Sequence, residues 1–377
     1  MDHQTASAEI DLAAIRRNVG TLRDLVAPAA VMVVVKADGY GHGMVRAAEA
    51  ARAAGADWLG AAIPDEALGL RAAGDTGRVL CWLYGPDEDL TPLVAADVDV
   101  SIQSVDQLAR VAAAAESTGH LARVHLKIDT GLTRNGCDAA DWPALCAAAR
   151  TTQERGGVEV VAVWSHLAAA DEPGHPSVPL QQQAFDAAYQ QARAAGLDPQ
   201  RHLANSAGAM ILPDARFDLV RIGIAAYGIE PAPGLAKLAG ITLTPAMTLR
   251  AQLANVHAIG PGVSISYGCR WTSTEDTVVG LVPLGYGDGV PRHGTNRIEV
   301  EVAGRRAPNR GTVCMDQFVV DLGPDGGKLG DEAVLFGPGT AGEPTAEDWA
   351  DWCGTIAYEI VTRIGARVPR RYRNGTD

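Results

Sequence analysis

The chain has 377 residues, 32 basic and 45 acidic side chains and a formal net charge of −13; 47% of residues are hydrophobic, 5% aromatic and 20% charged. This balance excludes an intrinsically disordered chain and argues against a general binder of nucleic acid or anionic membrane, which needs clustered Lys and Arg. No apolar run approaches the ~20 residues of a membrane helix.

The opening, MDHQTASAEIDL, lacks the basic segment and apolar core of a secretory leader. Six cysteines are widely spaced without a CxxC pair (Cys81, Cys137, Cys146, Cys269, Cys314, Cys353). They read as free thiols in a reducing cytoplasm, not as a disulfide frame or a zinc site. Only four of the 32 basic residues are lysine: Lys36, Lys127, Lys237 and Lys328.

Up to about residue 230, short β-branched runs alternate with Ala-, Leu- and Arg-rich stretches. The runs are Val31–Ala37, Trp58–Ile63, Val79–Tyr84, Val98–Ile102, Arg123–Ile128, Val158–Trp164, His202–Asn205 and Leu219–Ile224. Continuous apolar runs suit strands buried on both faces of a parallel sheet. Eight of them with helical stretches between (Met44–Ala54, Asp106–Ser117, Leu180–Ala195) predict a TIM-type (β/α)8 barrel. A doubly wound open sheet is the alternative.

After about residue 235 the texture becomes mostly β, with runs at Met247–Ala258, Thr277–Leu284, Arg297–Val302, Val313–Leu322 and Ala333–Phe336. Ala346–Arg363 is the best helical candidate there. The predicted division is 1–236 for an α/β barrel and 237–377 for a C-terminal β domain, with the boundary near Gly234–Gly240. Gly337–Gly342 fits G-x-G-x-x-G but opens no βαβ unit and reads as a loop.

Barrel chemistry sits where strands end at the C-terminal face. The strand ends supply Lys36 with the loop Ala37–Gly43, Lys127 and Asp129 with Arg134 beyond, Ser165-His166, Asn205-Ser206, and Arg221 running into Gly223-Ile224. An ammonium at the end of VMVVVK is costly to bury unless its pKa falls or it is used covalently. A desolvated lysine amine attacks carbonyl carbons; the bland reading is a lysine that snorkels to water. The Ser206 hydroxyl and the N–H groups near Gly208 and Gly223 could cup a phosphate, while Asn205-Ser206 also reads as a helix cap. A reactive lysine beside a phosphate cup points to pyridoxal 5'-phosphate.

The segment VVVKADGYGHG resembles the cofactor-lysine signature of bacterial alanine racemases. KIDTGLTRNG, WSHLAAAD, ANSAG, VRIGIAAYG, SYGCRW, PLGYGDG, VCMDQ, YEI and RVPRRY follow in order. The resemblance implies a two-domain enzyme that interconverts L- and D-alanine to supply D-alanine for peptidoglycan, working in the cytoplasm as a homodimer that shares its active sites. It implies that Lys36 holds the cofactor and moves one proton. Tyr40, Ser206, Gly223, Ile224 and Tyr358 would hold the phosphate, Arg221 would face the pyridine nitrogen, and His166 would support Arg221. Arg134 would lie on the substrate side, with Met315, Asp316 and the entrance residue Tyr286. Tyr267 would be the second base, and Lys127 matches a lysine that is carbamylated in some relatives.

Racemisation removes a proton from one face of a carbon and returns it to the other, which two opposed bases do most simply. The barrel offers no obvious second base opposite Lys36. Tyr267 belongs to the β region, so a β domain must cover the mouth. One departure falls beside it: Thr312 stands where the family usually has arginine. Rival readings are a barrel-only cofactor carrier, a two-domain decarboxylase, and a racemase of serine or a basic amino acid. No pattern suggests a metal.

Overall fold

The computed structural model describes residues 5–374; the first four residues of the opening segment read above as leaderless lie outside them. Strand β1 (Ala6–Asp11) comes first. Eight strands then form one parallel sheet: β2 (Ala30–Val34), β3 (Trp58–Ala61), β4 (Arg78–Cys81), β5 (Asp99–Ile102), β6 (Ala122–Lys127), β7 (Val158–Trp164), β8 (Gln200–His202) and β9 (Leu219–Ile222). They run β8-β7-β6-β5-β4-β3-β2-β9. The seam between β8 and β9 is held by Asp218 N–H donating to Arg201 O (3.2 Å) and Arg221 N–H to Ala204 O (3.0 Å), so the sheet closes into a barrel. The barrel is the predicted fold; the open sheet is excluded.

The connecting helices cover the strands because their apolar residues recur at helical spacing. In helix Leu12–Val26 the buried Leu12, Ile15, Val19, Leu22 and Val26 line one face. Each such side chain removed from water contributes about 1.5–3 kcal/mol. Asp11 starts the helix, its Oδ1 accepting from the N–H groups of Ala13 (2.8 Å) and Ala14 (3.0 Å).

The remaining strands are β10 (Met247–Gln252), β11 (Asn255–Ile259), β12 (Thr277–Val282), β13 (Glu299–Val302), β14 (Arg305–Pro308), β15 (Phe318–Gly323), β16 (Glu332–Phe336) and β17 (Arg370–Arg373). One sheet is ordered β14-β13-β16-β10-β1-β17 and the other β11-β12-β15. The first strand therefore joins the C-terminal sheet, antiparallel to β10 and parallel to β17.

Several elements differ from expectation. The run Met247–Ala258 is split between two sheets, because Leu253 and Ala254 turn to bond Asp331 and Leu281. The candidate helix Ala346–Arg363 is two helices, Ala346–Cys353 and Ala357–Thr362, broken where Gly354 takes the left-handed conformation (φ 68°). The loop Gly337–Gly342 wraps its own Glu343, whose carboxylate accepts from Gly339 and Ala341 N–H.

Candidate active site

β2 ends at Val34, so Lys36 is not a strand residue but opens a tight turn. Ala37 (φ 51°), Asp38 (52°), Gly39 (62°) and Tyr40 (54°) follow in the left-handed region, which costs non-glycine residues energy and persists only where the surroundings enforce it. Two carboxylates hold the turn. Glu66 Oε1 accepts from Ala37 N–H (2.7 Å) while its Oε2 accepts from Ala62 N–H (2.7 Å), and Asp38 Oδ1 accepts from Met44 N–H (2.8 Å). The turn aims Lys36 and Tyr40 into the same cavity.

That cavity, about 610 Å³, opens at the C-terminal ends of the barrel strands. It brings together eleven residues singled out from the sequence: Lys36, Tyr40, Lys127, Arg134, His166, Asn205, Ser206, Arg221, Gly223, Ile224 and Tyr358. Four of its lining residues are cationic types and none is Asp or Glu, in a chain whose net charge is −13. Burial lowers the Lys36 pKa, Arg134 lowers it further, and Glu66 opposes both. Burial, with Arg221 and Arg134 beside it, brings Lys127 down to about 7. Its Nζ lies 4.3 Å from the centre of the Trp164 ring.

At the cavity floor Arg221 donates five hydrogen bonds. Nη1 reaches His202 O and Nδ1 (both 3.1 Å); Nη2 reaches Ser165 O (2.8 Å), Leu203 O (3.0 Å) and His166 Nδ1 (3.1 Å). All engage Nη1 or Nη2, so the donor left for a ligand is Nε–H. Burial pulls the Arg221 pKa to about 9, which keeps the guanidinium charged at neutral pH. Burial and Arg221 push His166 well below its usual value, so its ring is neutral and accepts.

Two residues beyond Arg221, the Gly223 N–H donates to Ser206 Oγ (2.8 Å), so this amide is engaged within the chain, and the Tyr40 hydroxyl lies against Gly223. Asn205 caps the helix Ser206–Ile211, accepting from Gly208 N–H (3.0 Å), so the Gly208 amide is already used. Tyr358 comes from helix Ala357–Thr362 of the C-terminal half, which packs closely on Gly41.

Tyr267, Tyr286, Met315 and Asp316 are absent from this cavity. They line a second, more open one of about 600 Å³ with Ser266, Cys314 and Gln317. Tyr267 is 75% exposed and Met315 52%. Thr312 does not leave this region unsupported. Its Oγ1 donates to Tyr267 O (2.7 Å), and Ser266 Oγ donates to Thr312 O (2.8 Å). Asp316 is held by Arg367 Nη1 (2.8 Å), which also pairs through Nε with Asp288 (3.1 Å).

Sequence reasoning missed Glu66, Trp82 and Trp164, which brace or wall the first cavity, and the histidines behind Arg221. A signal for Glu66 was available in Pro64-Asp65-Glu66, which opens a helix in the loop after β3. Among the described residues no group of His, Cys, Asp and Glu could hold a metal.

A closed barrel with a cavity at its strand ends, lined by Lys36, Lys127, Arg134 and Arg221 and by no carboxylate, has the architecture of a barrel enzyme whose site suits anionic ligands. Comparison with known proteins narrows the class. Residues 10–231 match the model described as "Alanine racemase, N-terminal domain", and 246–372 that of the C-terminal domain. An alanine racemase of Thermobifida fusca is 55% identical, covering 97% of this chain and 98% of that one. One of Frankia casuarinae is 54% identical, covering 97% and 95%. The crystal structure of alanine racemase from D-cycloserine-producing Streptomyces lavendulae superposes with a TM-score of 0.97 at 51% identity, over 100% of this chain and 99% of that one. The chain belongs to the alanine racemase family.

Proposed function

We propose that this chain interconverts L- and D-alanine, holding pyridoxal 5'-phosphate in the barrel mouth and using a second copy of itself to complete each site. The carboxylate-free cluster of Lys36, Lys127, Arg134 and Arg221 around one cavity carries this reading, because the cofactor is a multiple anion with an aldehyde. The residues fit it. Tyr40, Ser206, Gly223, Ile224 and Tyr358 would hold the phosphate, Asn205 would order the helix beneath it, and Arg221 Nε–H would meet the ring nitrogen.

When bound, the cofactor supplies an electron sink that acidifies the α-hydrogen of an attached amino acid. The lowered pKa of Lys36 gives an amine that is more often neutral, able to take or return a proton at the α-carbon on one face. Arg221 would donate to the ring nitrogen without giving up its proton, which would limit charge delocalisation and favour simple proton return over transamination. His166 holds the Arg221 plane. The opposite face needs a second base. We assign it to Tyr267 of a second copy, whose exposed patch with Tyr286, Met315 and Asp316 would cover the mouth and bind the substrate carboxylate.

Lys127 we read as a carbamylation site. Its ammonium, with a pKa near neutral, would lose one proton, and the neutral amine would then add to the carbon of CO2 and lose a second, so that a cation beside Arg134 becomes a carbamate anion. The six cysteines are free, and no helix of the described residues is long and apolar enough to cross a membrane. We place the enzyme in the cytoplasm, supplying D-alanine for peptidoglycan, with its chain divided near residue 236.

The purified chain, loaded with cofactor and given L-alanine, should accumulate D-alanine. No D-alanine at full cofactor occupancy would sink the proposal, and faster turnover of serine or a basic amino acid would replace the substrate.

A further inference from the structure

Behind Arg221, a row of polar groups runs through the barrel interior from the strand ends toward the strand starts. Arg221 Nη1 meets His202 Nδ1 (3.1 Å), His202 Nε2 meets His125 Nδ1 (2.9 Å), and His125 Nε2 meets Asp99 Oδ2 (3.2 Å). Asp99, His125 and His202 are each fully shielded from solvent. At the far end Asp99 also accepts from Arg78 Nη2 (2.6 Å) and Arg123 Nε (2.8 Å).

The direction of this row follows from its ends. A guanidinium only donates and a carboxylate only accepts. Two neutral imidazoles between them have one consistent arrangement. His202 Nδ1 accepts from Arg221, His202 Nε2–H donates to His125 Nδ1, and His125 Nε2–H donates to Asp99. A second proton on either ring would set two donors face to face. Burial favours the neutral rings, lowering the pKa of both His125 and His202. Burial alone would raise Asp99, yet the His125 and Arg78 contacts hold it below the usual range.

The walls keep the rings from turning. Trp164 stacks on His202 (5.3 Å, 10° between planes) and Trp58 meets His125 edge-on (5.2 Å, 79°). Trp164 is itself pinned, its Nε1–H donating to Ser101 Oγ (2.9 Å).

We propose that Asp99, His125 and His202 are positioning residues for Arg221, the carboxylate fixing through two imidazole tautomers the plane in which Nε–H faces the cavity. The catalytic consequence rests on the pyridoxal-phosphate reading; the proton arrangement does not.

The first test uses the cofactor-free chain labelled with 15N-histidine. Long-range 1H–15N correlations should show His125 and His202 neutral, with the proton on Nε2, from about pH 6 to about 9. A proton on Nδ1 of either ring, or an imidazolium at neutral pH, overturns the proposal. This readout needs no variant, so it survives any folding failure.

The second test compares His125→Phe with His125→Asn in the cofactor-loaded enzyme. His125→Phe removes the acceptor facing His202. It should scramble the His202 tautomer, lower kcat about tenfold, the scale of one hydrogen bond, leave KM little changed, and move the pH titration of the cofactor absorbance. His125→Asn keeps an oxygen opposite His202 Nε2 and should recover most of kcat. An unchanged tautomer and kcat in a merely less stable His125→Phe protein would make the row a packing feature and overturn the proposal. If the wild-type chain binds no cofactor, the functional reading fails while the tautomer measurement still decides the arrangement.

Discussion

The hydroxyl of Tyr40 occupies the space where residue 223 would carry a side chain: a Cβ built on Gly223 would lie 2.4 Å from Tyr40 Oη. One residue stands in the left-handed turn after β2, the other follows β9, and the two strands pair side by side in the barrel. The strained turn is thus matched by a missing side chain across the sheet.

Gly223→Ala should push Tyr40 out of position and weaken cofactor binding about 10- to 100-fold, the scale of losing one hydrogen bond to a charged group. Equilibrium titration of the cofactor-free variant with pyridoxal 5'-phosphate measures this. Wild-type affinity in the variant would remove Tyr40 from the phosphate site.

Lys36 and Tyr267 should separate cleanly. Lys36→Ala should abolish covalent attachment, seen as loss of the protein-bound cofactor absorbance. Tyr267→Phe should keep that absorbance and lower turnover by about 10²–10⁴-fold. A fully active Tyr267→Phe enzyme would end the two-base assignment.

Those two inactive variants also test the shared site. Mixed and allowed to exchange subunits, they should form hybrids with one intact site each, restoring about a quarter of wild-type activity. If no activity returns although hybrids form, Lys36 and Tyr267 act within one chain.

Lys127 carries a pH signature. Its folded-state pKa, about 7, lies below the unfolded value, so between the two the unfolded chain binds more protons. The burial penalty is full below pH 7 and fades as pH rises toward the unfolded value, so this group makes stability increase over that window. Thermal unfolding across about pH 7 to about 10 should show a rise that Lys127→Met flattens. Equal slopes in the two proteins, measured free of CO2 so that the amine is unmodified, would show that Lys127 stays charged in the fold.

The barrel strands were legible because a parallel strand covered on both faces must be apolar along its buried length, as in residues 31–34 and 160–164. The left-handed path after Lys36 was hinted at by Gly39, Gly41 and Gly43, but Ala37, Asp38 and Tyr40 adopt it too, enforced by the distant Glu66. β17, Arg-Arg-Tyr-Arg, carries no hydrophobic pattern and is a strand only because β1 lies beside it. Asp99, His125 and His202 sit singly in three strands, and their shared row exists only once the barrel closes. Tyr267 and Met315 were legible as a set through family resemblance alone, since no periodicity marks exposed loop residues.

Arg370, in β17, donates from Nε to Gly41 O (3.0 Å), a bond spanning 329 positions of sequence. During synthesis the whole barrel emerges before this arginine does. The loop behind Lys36 therefore gains this tether only when translation has run past residue 370, and on the proposed reading vitamin B6 loading should await that moment.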